Sequence, residues 1–162
     1  MGRAAEPRRA ANEEAGALAD LWLAARRAAI PAVPAPVHAD HEVRAWFATV
    51  VLPVQEVWVI GERGGVVALL VLDGPWIEQL YVRPGFTDRG LGSRLVELAQ
   101  SLRDHLLLWT FQSNAGARRF YERHGFSAET MTAGDNEEGA PDVRYRWERS
   151  RRLQQGSPAP RR

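Results

Sequence analysis

The chain has 162 residues, a formal net charge of +1 and no cysteine. This length predicts one domain with a sizeable core, and the lack of cysteine excludes disulfides, thiol nucleophiles and thiolate metal sites. The balanced charge provides no general attraction to nucleic acid or membranes, and no apolar run approaches the roughly 20 residues of a membrane span. A cytoplasmic protein without nucleic-acid or membrane partners is therefore expected.

The N-terminal third is predicted to contain a short strand and two helices, at residues 8–10, 12–29 and 42–52. Polar residues predict the helix starts, with Asn12 and Asp40 as N-caps. Between the helices, residues 30–38 contain three prolines and are predicted to be a loop. The expected core positions of the two helices are Leu18, Leu21, Trp22, Ala25, Val43, Trp46, Phe47 and Val50.

The remaining residues predict an alternation of strands and helices. Strands at 57–61, 66–72 and 76–82 are expected to form an antiparallel meander, because only short turns separate them. A helix from Leu91 to about residue 103 then leads to the apolar run 106–111, which predicts a central strand covered on both faces and parallel to 76–82. A helix from Asn114 to His124 is followed by a long-looped hairpin of strands at 126–131 and 142–147. This order predicts an α/β fold with a mixed sheet and helices on both faces.

A glycine-rich turn lies between the strand 76–82 and its following helix. Gly90 and Gly92 occur at the first helical turn, where free backbone amides and the helix dipole favour a phosphate group. A P-loop would need Lys and Ser/Thr where Leu91 and Gly92 stand, and a dinucleotide fingerprint would need glycine in place of Leu95. A nucleotide-binding protein of another kind remains an alternative.

Two segments resemble the GNAT family of acyltransferases. The first, LYVRPGFTDRGLGS, resembles the acetyl-CoA motif of that family, although Thr87 occupies a position that is usually Gln or Arg. The second, LLLWTFQSNAGARRFYERHGF, resembles the family segment in which an Asn and a Tyr seven positions later, here Asn114 and Tyr121, follow the fifth strand. The predicted order of elements also matches the GNAT fold.

The resemblance implies a GNAT fold with about seven strands and about four helices on both faces, and with the fourth and fifth strands splayed apart. It also implies a single domain at 1–148, followed by a basic tail at 149–162 whose composition predicts disorder. Acetyl-CoA is the implied co-substrate, and no metal site is expected. The implied cofactor-binding residues are Leu80, Tyr81, Val82, Thr87, Asp88, Arg89, Gly90, Leu91, Gly92, Ser93, Asn114, Arg118 and Tyr121.

The implied reaction is transfer of an acetyl group to a primary amine of a small molecule or peptide, by direct attack through a tetrahedral intermediate. Tyr121 is the implied acid for the departing thiolate. The general base is less defined: Glu78 is the best-placed carboxylate, but it could instead bind a cationic substrate, or a water relay could serve. Trp76 and Trp109, with Glu78, are the expected acceptor-binding residues, and Trp58 could join them.

Two further loops are candidates for the acceptor side. Glu137, Glu138 and Asp142 could attract a cationic acceptor, or could belong to a solvated loop. His38 and His41 lie where GNAT folds often overhang the acceptor. A homodimer is possible on this fold, and a non-catalytic acyl-CoA-binding or sensor module remains an alternative.

Overall fold

The computed structural model describes residues 5–150, so the predicted basic tail lies outside the described residues beyond residue 150. Seven strands form one sheet within the described residues: β1 Arg8–Arg9, β2 Glu56–Glu62, β3 Gly65–Asp73, β4 Trp76–Val82, β5 His105–Phe111, β6 Ser127–Thr132 and β7 Asp142–Glu148. The main helices are α1 Ala15–Ala28, α2 Asp40–Trp46, α3 Leu91–Leu102 and α4 Ala115–Arg123. None of the described helices is long and apolar enough to cross a membrane.

The sheet has the order β1-β2-β3-β4-β5-β7-β6. All neighbouring strands are antiparallel except β4 and β5, which are parallel as the helical connection through α3 requires. The antiparallel meander and the β6–β7 hairpin predicted from the sequence are therefore confirmed. Strand β7 lies between β5 and β6, so the hairpin is attached to the rest of the sheet through its second strand.

The two faces of the sheet carry separate apolar clusters. Helices α1 and α2 cover one face with Leu18, Trp22 and Phe47, which pack against inward residues of β2 and β3. Helices α3 and α4 cover the other face, where Leu95 and Tyr121 join side chains of β3, β5 and β7. This division matters for the site, because α1 and α2 leave part of their face of the sheet uncovered on the β5 side.

The predicted helix caps are wrong in both N-terminal helices. Asn12 begins a 3-10 turn that ends at Glu14, and α1 starts at Ala15. The N-cap residues are Ala11 and Ala39. The glutamate three residues after each of them accepts a hydrogen bond from its backbone amide: Glu14 from Ala11 and Glu42 from Ala39. A carboxylate reaching back from the third helical position thus replaces the expected polar cap side chain.

The predicted burial of Val50 and the predicted covering of both faces of β5 are also wrong. Helix α2 does not end before Pro53: it continues through a π-helical segment, Phe47–Val51, and then through Leu52–Val54. The wider turn changes the register, so that Val51 is buried while Val50 is exposed. Strand β5 is not covered on both faces: Leu106 and Leu108 are buried, but Trp109 is 43% exposed on the opposite face.

Candidate active site

Strands β4 and β5 diverge almost as soon as they meet. Only Trp76 and Leu107 form a residue pair, and the amide of Leu107 donates to the carbonyl oxygen of Pro75 at 2.9 Å. Beyond this point the edge of β4 that faces β5 has no strand partner, from residue 78 to residue 82. Backbone N–H and C=O groups of this kind need a hydrogen-bonding partner when they are withdrawn from water. The gap can therefore accept an extended ligand that carries amide groups of its own.

A β-bulge lies in β4 at the start of this gap. Val71 pairs with Gln79 and Leu72 pairs with Ile77, so Glu78 is the extra residue of the bulged strand. The prediction that Glu78 lies on the same face as Trp76 holds for a regular strand, in which side chains alternate between the two faces. Bulges bend a strand and redirect its side chains, and this one affects the residues that border the gap.

The glycine-rich turn after β4 presents backbone amides at the end of the gap. Asp88 and Gly90 have positive φ angles of 61° and 76°, and α3 begins at Leu91. Gly90 is the N-cap residue and has no side chain to accept the first helical amides. The amides of the first turn are therefore available to an anion, where the helix dipole adds to the attraction.

A cleft of about 460 Å³ connects the gap, this turn and α4. Nine of the predicted cofactor-binding residues line it: Leu80, Val82, Thr87, Asp88, Gly90, Leu91, Gly92, Ser93 and Tyr121. Four residues outside the predicted set also line it, namely Phe86, Ala117, Phe120 and Arg123. The cleft thus combines apolar walls with helix-terminal amides, which suits a ligand with both an apolar arm and a phosphate.

Four other residues predicted to bind the cofactor lie outside this lining. Tyr81 points to the α1 face, where its ring packs edge-on against Trp22. The Arg89 guanidinium lies over the ring of Phe86. Asn114 is the N-cap of α4, where its Oδ1 accepts from the amide of Ala117.

Arg118, the fourth of these residues, is held by neighbours on its own side of α4. Its Nε donates to the hydroxyl of Tyr145 at 3.0 Å, and its Nη1 donates to the carbonyl of Gln112 at 3.4 Å. The Tyr145 hydroxyl in turn donates to Glu122. Arg118 therefore connects α4 to β7 in this structure.

Tyr121 extends from α4 into the cleft and is 8% exposed. Its ring packs against Phe120, Phe126 and Tyr145. Burial raises the pKa of the Tyr121 phenol, and the nearby Tyr81 adds to this effect. The hydroxyl makes no hydrogen bond to another residue in the range 5–150, so it is free to pair with a ligand.

Ser93 links the phosphate end of the cleft to the end of α4. Its Oγ lies 3.0 Å from Nε2 of His124, and the His124 ring packs against Phe120. Partial burial lowers the pKa of His124 below its ordinary value, which favours the neutral ring. The pair fixes the position of the Ser93 hydroxyl beside the first turn of α3.

The three residues predicted to contact the acceptor meet in one recess. Trp76, Glu78 and Trp109, together with Ile77, line a cavity of about 270 Å³ beside the point where β4 and β5 separate. Partial desolvation raises the pKa of Glu78, and the negative charge of Asp73 raises it further. Trp58 does not join them: its indole donates to Glu56 and lies beneath the guanidinium of Arg9.

The loop between β6 and β7 is ordered by its own hydrogen bonds. Asp142 is buried, and its carboxylate accepts from Thr132 and from Asn136. Glu137 pairs with His38 at 3.1 Å, whereas Glu138 turns inward and pairs with Arg26 at 3.4 Å. Of the three predicted acidic residues, Asp142 therefore holds the loop together, and the two glutamates contact the N-terminal part of the chain.

The sequence patterns did not point to Arg26, which lines the cavity between α1, α2 and the loop before β7. It is 5% exposed, and its guanidinium lies over the rings of Trp22 and Phe111 at 4.9 and 5.8 Å. Its sequence neighbour Arg27 is exposed, and the helical spacing distinguishes the two, because Arg26 follows Trp22 by four residues whereas Arg27 falls on the other side of α1. Among the described residues, no group of three or more His, Asp or Glu side chains could hold a metal ion.

Comparison with known proteins gives consistent matches. Residues 53–128 match the family model described as an acetyltransferase (GNAT) domain. The chain is 31% identical over 70 residues to the peptidyl-lysine N-acetyltransferase YiaC of Escherichia coli; this match covers 43% of the chain and about half, 48%, of that relative.

Solved structures share the fold over most of the chain. The solution structure of apo YjaB from Escherichia coli has a TM-score of 0.71 and 23% identity, covering 87% of this chain and 95% of that one. The acetyl-CoA complex of yncA, a putative acetyltransferase of Salmonella typhimurium, has a TM-score of 0.66 and 19% identity, covering 93% and 97% of the two chains.

Proposed function

Because this chain belongs to the GNAT acetyltransferase family, we propose that it is an acyl-CoA-dependent N-acetyltransferase. The donor is acetyl-CoA, and the acceptor is a primary amine of a small molecule or a peptide. The YiaC relative is named for its action on peptidyl-lysine, so a peptide amine belongs among the acceptors to be tested.

The observation that carries this proposal is the gap between β4 and β5 and its position beside the amides of α3. The unpaired edge of β4 offers hydrogen bonds to the amides of a pantetheine arm, as an added strand would. The turn at Gly90 and Gly92 offers helix-terminal amides to a diphosphate. An ATP or NAD molecule would use the second feature but not the first.

The chemistry follows from the groups around the gap. The amine lone pair attacks the thioester carbonyl, a C–N bond forms, and the carbonyl electron pair moves to oxygen. An unpaired backbone amide near Leu80 or Tyr81 would donate to this oxyanion. The intermediate then collapses with cleavage of the C–S bond, and the departing thiolate takes a proton from the Tyr121 hydroxyl. The nitrogen, positively charged after attack, loses its second proton, which returns to the Tyr121 phenolate directly or through water.

An amine substrate must also lose a proton before it can attack, since an alkyl ammonium titrates near pH 10.4. Glu78 is the candidate acceptor of this proton, directly or through water. Its raised pKa makes it a stronger base than an ordinary surface carboxylate. Its position in one recess with Trp76 and Trp109 supports a role at the acceptor rather than at the phosphate end.

One observation favours a second candidate, a non-catalytic acyl-CoA-binding module. Burial raises the pKa of Tyr121 above the ordinary value of about 10, whereas a thiol titrates near 8.5. Proton transfer from Tyr121 to a thiolate is then uphill unless the bound cofactor stabilises the phenolate. A module that only binds acyl-CoA would not need this transfer.

An acetylation screen distinguishes the two candidates. The purified protein is incubated with acetyl-CoA and a panel of amino acids, polyamines, aminoglycosides and peptides, and release of free CoA is followed. Saturable release that depends on one class of amine, and acetylated product detected by mass spectrometry, support the enzyme. Tight acetyl-CoA binding without amine-dependent release across the panel would support the binding module instead.

A further inference from the structure

A second cavity lies on the α1 side of the gap. It has a volume of about 470 Å³ and is enclosed by α1, α2, β4 and the loops at 31–39 and 133–141. Its walls are largely apolar and include the indoles of Trp22 and Trp46, which pack edge to face. A concave site of this size with a few inward polar groups is typical of small-ligand binding.

The floor of this cavity is rich in hydrogen-bond donors. Arg26 contributes its guanidinium, whose two hydrogen bonds, to Pro34 and Glu138, both come from Nη2. Its buried Nε has no hydrogen-bond partner among the described residues. The hydroxyl of Tyr81 also lies beside the guanidinium, so the Nε–H is the donor left without an acceptor among the described residues, and an oxygen atom of a ligand would supply one.

Gln79 contributes a second donor to the same floor. Its Oε1 accepts from the Trp22 indole at 2.9 Å, which fixes the amide so that its NH₂ group is the free end. Gln79 belongs to β4, directly after the bulge residue Glu78 and along the unpaired edge of the gap. The donors of the floor are therefore adjacent to the place where a thioester would be attacked.

The rim of the cavity has the opposite character. Glu42 and Glu137 lie on either side of His38, at 3.8 and 3.1 Å from its ring nitrogens. The three carboxylates of Glu42, Glu137 and Glu138 outnumber the two side chains that can carry positive charge, Arg26 and His38, so the cavity has a net negative charge. A fully anionic ligand is disfavoured, and a cationic amine that also carries an oxygen acceptor is favoured.

We propose that this cavity binds an acceptor whose reactive amine is attached to the carbon next to a carbonyl group, as in an amino-acid amide or a peptide N-terminus. The carbonyl oxygen pairs with Arg26 and Gln79, and the side chain packs against the wall that the indoles of Trp22 and Trp46 form together. This inference rests on the proposed function and specifies its acceptor. A plain alkylamine or polyamine leaves the donors of the floor unpaired.

The test compares leucinamide with 3-methylbutylamine, which is the same molecule without the carboxamide. Values of kcat/KM are corrected to the concentration of free amine, because an α-amino group titrates near 8 and an alkylamine near 10.4. We expect leucinamide to be preferred roughly 100-fold, since buried donors reject a ligand that lacks their acceptor. Leucyl-glycyl-glycine, as a third substrate, distinguishes a peptide acceptor from a small amide.

The variant Gln79→Glu is the sharpest probe. It keeps an oxygen for the Trp22 indole but replaces the donor with an acceptor, so the packing is preserved while the hydrogen-bond polarity is inverted. We expect the preference for leucinamide to fall at least tenfold. Arg27→Met, at an exposed position on the same helix, should leave the preference unchanged.

Equilibrium binding separates this inference from the proposed function. Leucinamide and 3-methylbutylamine are titrated into wild type and Gln79→Glu by calorimetry, with and without CoA. Tighter binding of leucinamide that is lost in the variant supports the cavity assignment even if no acetylation occurs. Equal affinities, no binding of either amine, or an unchanged preference in Gln79→Glu would overturn it, even if the protein acetylates other amines.

Discussion

The cleft proposed to bind the cofactor (the cofactor cleft) and the cavity proposed to bind the acceptor (the acceptor cavity) lie on opposite sides of β4 and are built in different ways. The cleft is formed by two short segments, residues 80–93 and 117–123, and it offers mainly backbone amides and apolar side chains. The cavity is formed by five separate parts of the chain between Trp22 and Glu138, and it offers specific side-chain donors and charges. A site based on backbone amides is encoded locally, whereas a side-chain site depends on the tertiary fold.

The two regions also differ in how they are held. The cleft is narrow at Gly92: a Cβ there would just touch the ring of Phe120, at 3.4 Å, so a larger side chain would fill the space. The acceptor cavity depends on a buried ion pair between Arg26 and Glu138, which attaches the 133–141 loop to α1. Substitutions can therefore disturb one region and leave the other unchanged.

The largest effect is expected for Arg26→Met on stability. Removing one member of a buried ion pair leaves the Glu138 carboxylate without its counter-charge, and we expect a loss of about 3 kcal/mol in the free energy of unfolding. Urea denaturation measures it. The control Arg27→Met removes an exposed pair with Asp40 and should leave the unfolding midpoint unchanged; equal midpoints for both variants would contradict the ion-pair account.

Tyr121→Phe should lower kcat about 100-fold without changing the affinity for CoA. The ring contacts of Tyr121 are kept, and its hydroxyl has no hydrogen bond to another described residue, so the fold should not lose stability. The control is Tyr145→Phe, which removes hydrogen bonds to Arg118 and Glu122. This control should cost about 1 kcal/mol of stability and leave kcat nearly unchanged. A normal kcat in Tyr121→Phe together with a large loss of kcat in Tyr145→Phe would exclude Tyr121 as the acid.

Gly92→Val should weaken acetyl-CoA binding about 30-fold, or about 2 kcal/mol, because the added side chain would occupy the cleft beside Phe120 and Val82 and keep the cofactor from the helix-terminal amides. Calorimetric titration of acetyl-CoA gives the dissociation constant. Gly16→Ala in α1, where an added Cβ meets no atom within 4 Å, is the matched control and should bind normally. Normal binding by Gly92→Val would place the cofactor elsewhere.

Glu78→Gln should reduce kcat/KM about tenfold at pH values above the pKa of Glu78. It should also remove the fall in rate on the acid side of the pH profile (the acid limb). Below its raised pKa the carboxyl is protonated and cannot accept a proton, so in the wild type the rate falls as the pH falls through that value. The limb should therefore lie above the ordinary carboxyl value of about 4.3. An identical acid limb in the variant would assign the base to another group or to water.

The sequence predicted the strands around the gap and the turn after β4 well, because these features depend on local patterns. Aromatic and β-branched residues before Pro84 predicted β4, and the helical spacing of apolar residues from Leu91 predicted the start of α3, both to the residue. The sequence could not reveal the π-helical segment that exposes Val50, nor the bulge at Glu78, because both depend on packing against neighbouring elements. Helical spacing from Trp22 separates Arg26 from Arg27, but the sequence could not reveal that Glu138 returns from the 133–141 loop to pair with Arg26.

The most direct test of the proposed cofactor site is a crystal structure of the protein with acetyl-CoA. We expect the pantetheine arm along the unpaired edge of β4 between residues 78 and 82, with the diphosphate at the amides of Gly90 to Ser93 and the thioester sulfur near the Tyr121 hydroxyl. A cofactor bound outside the gap, or β4 and β5 closed together along their length in the complex, would contradict it.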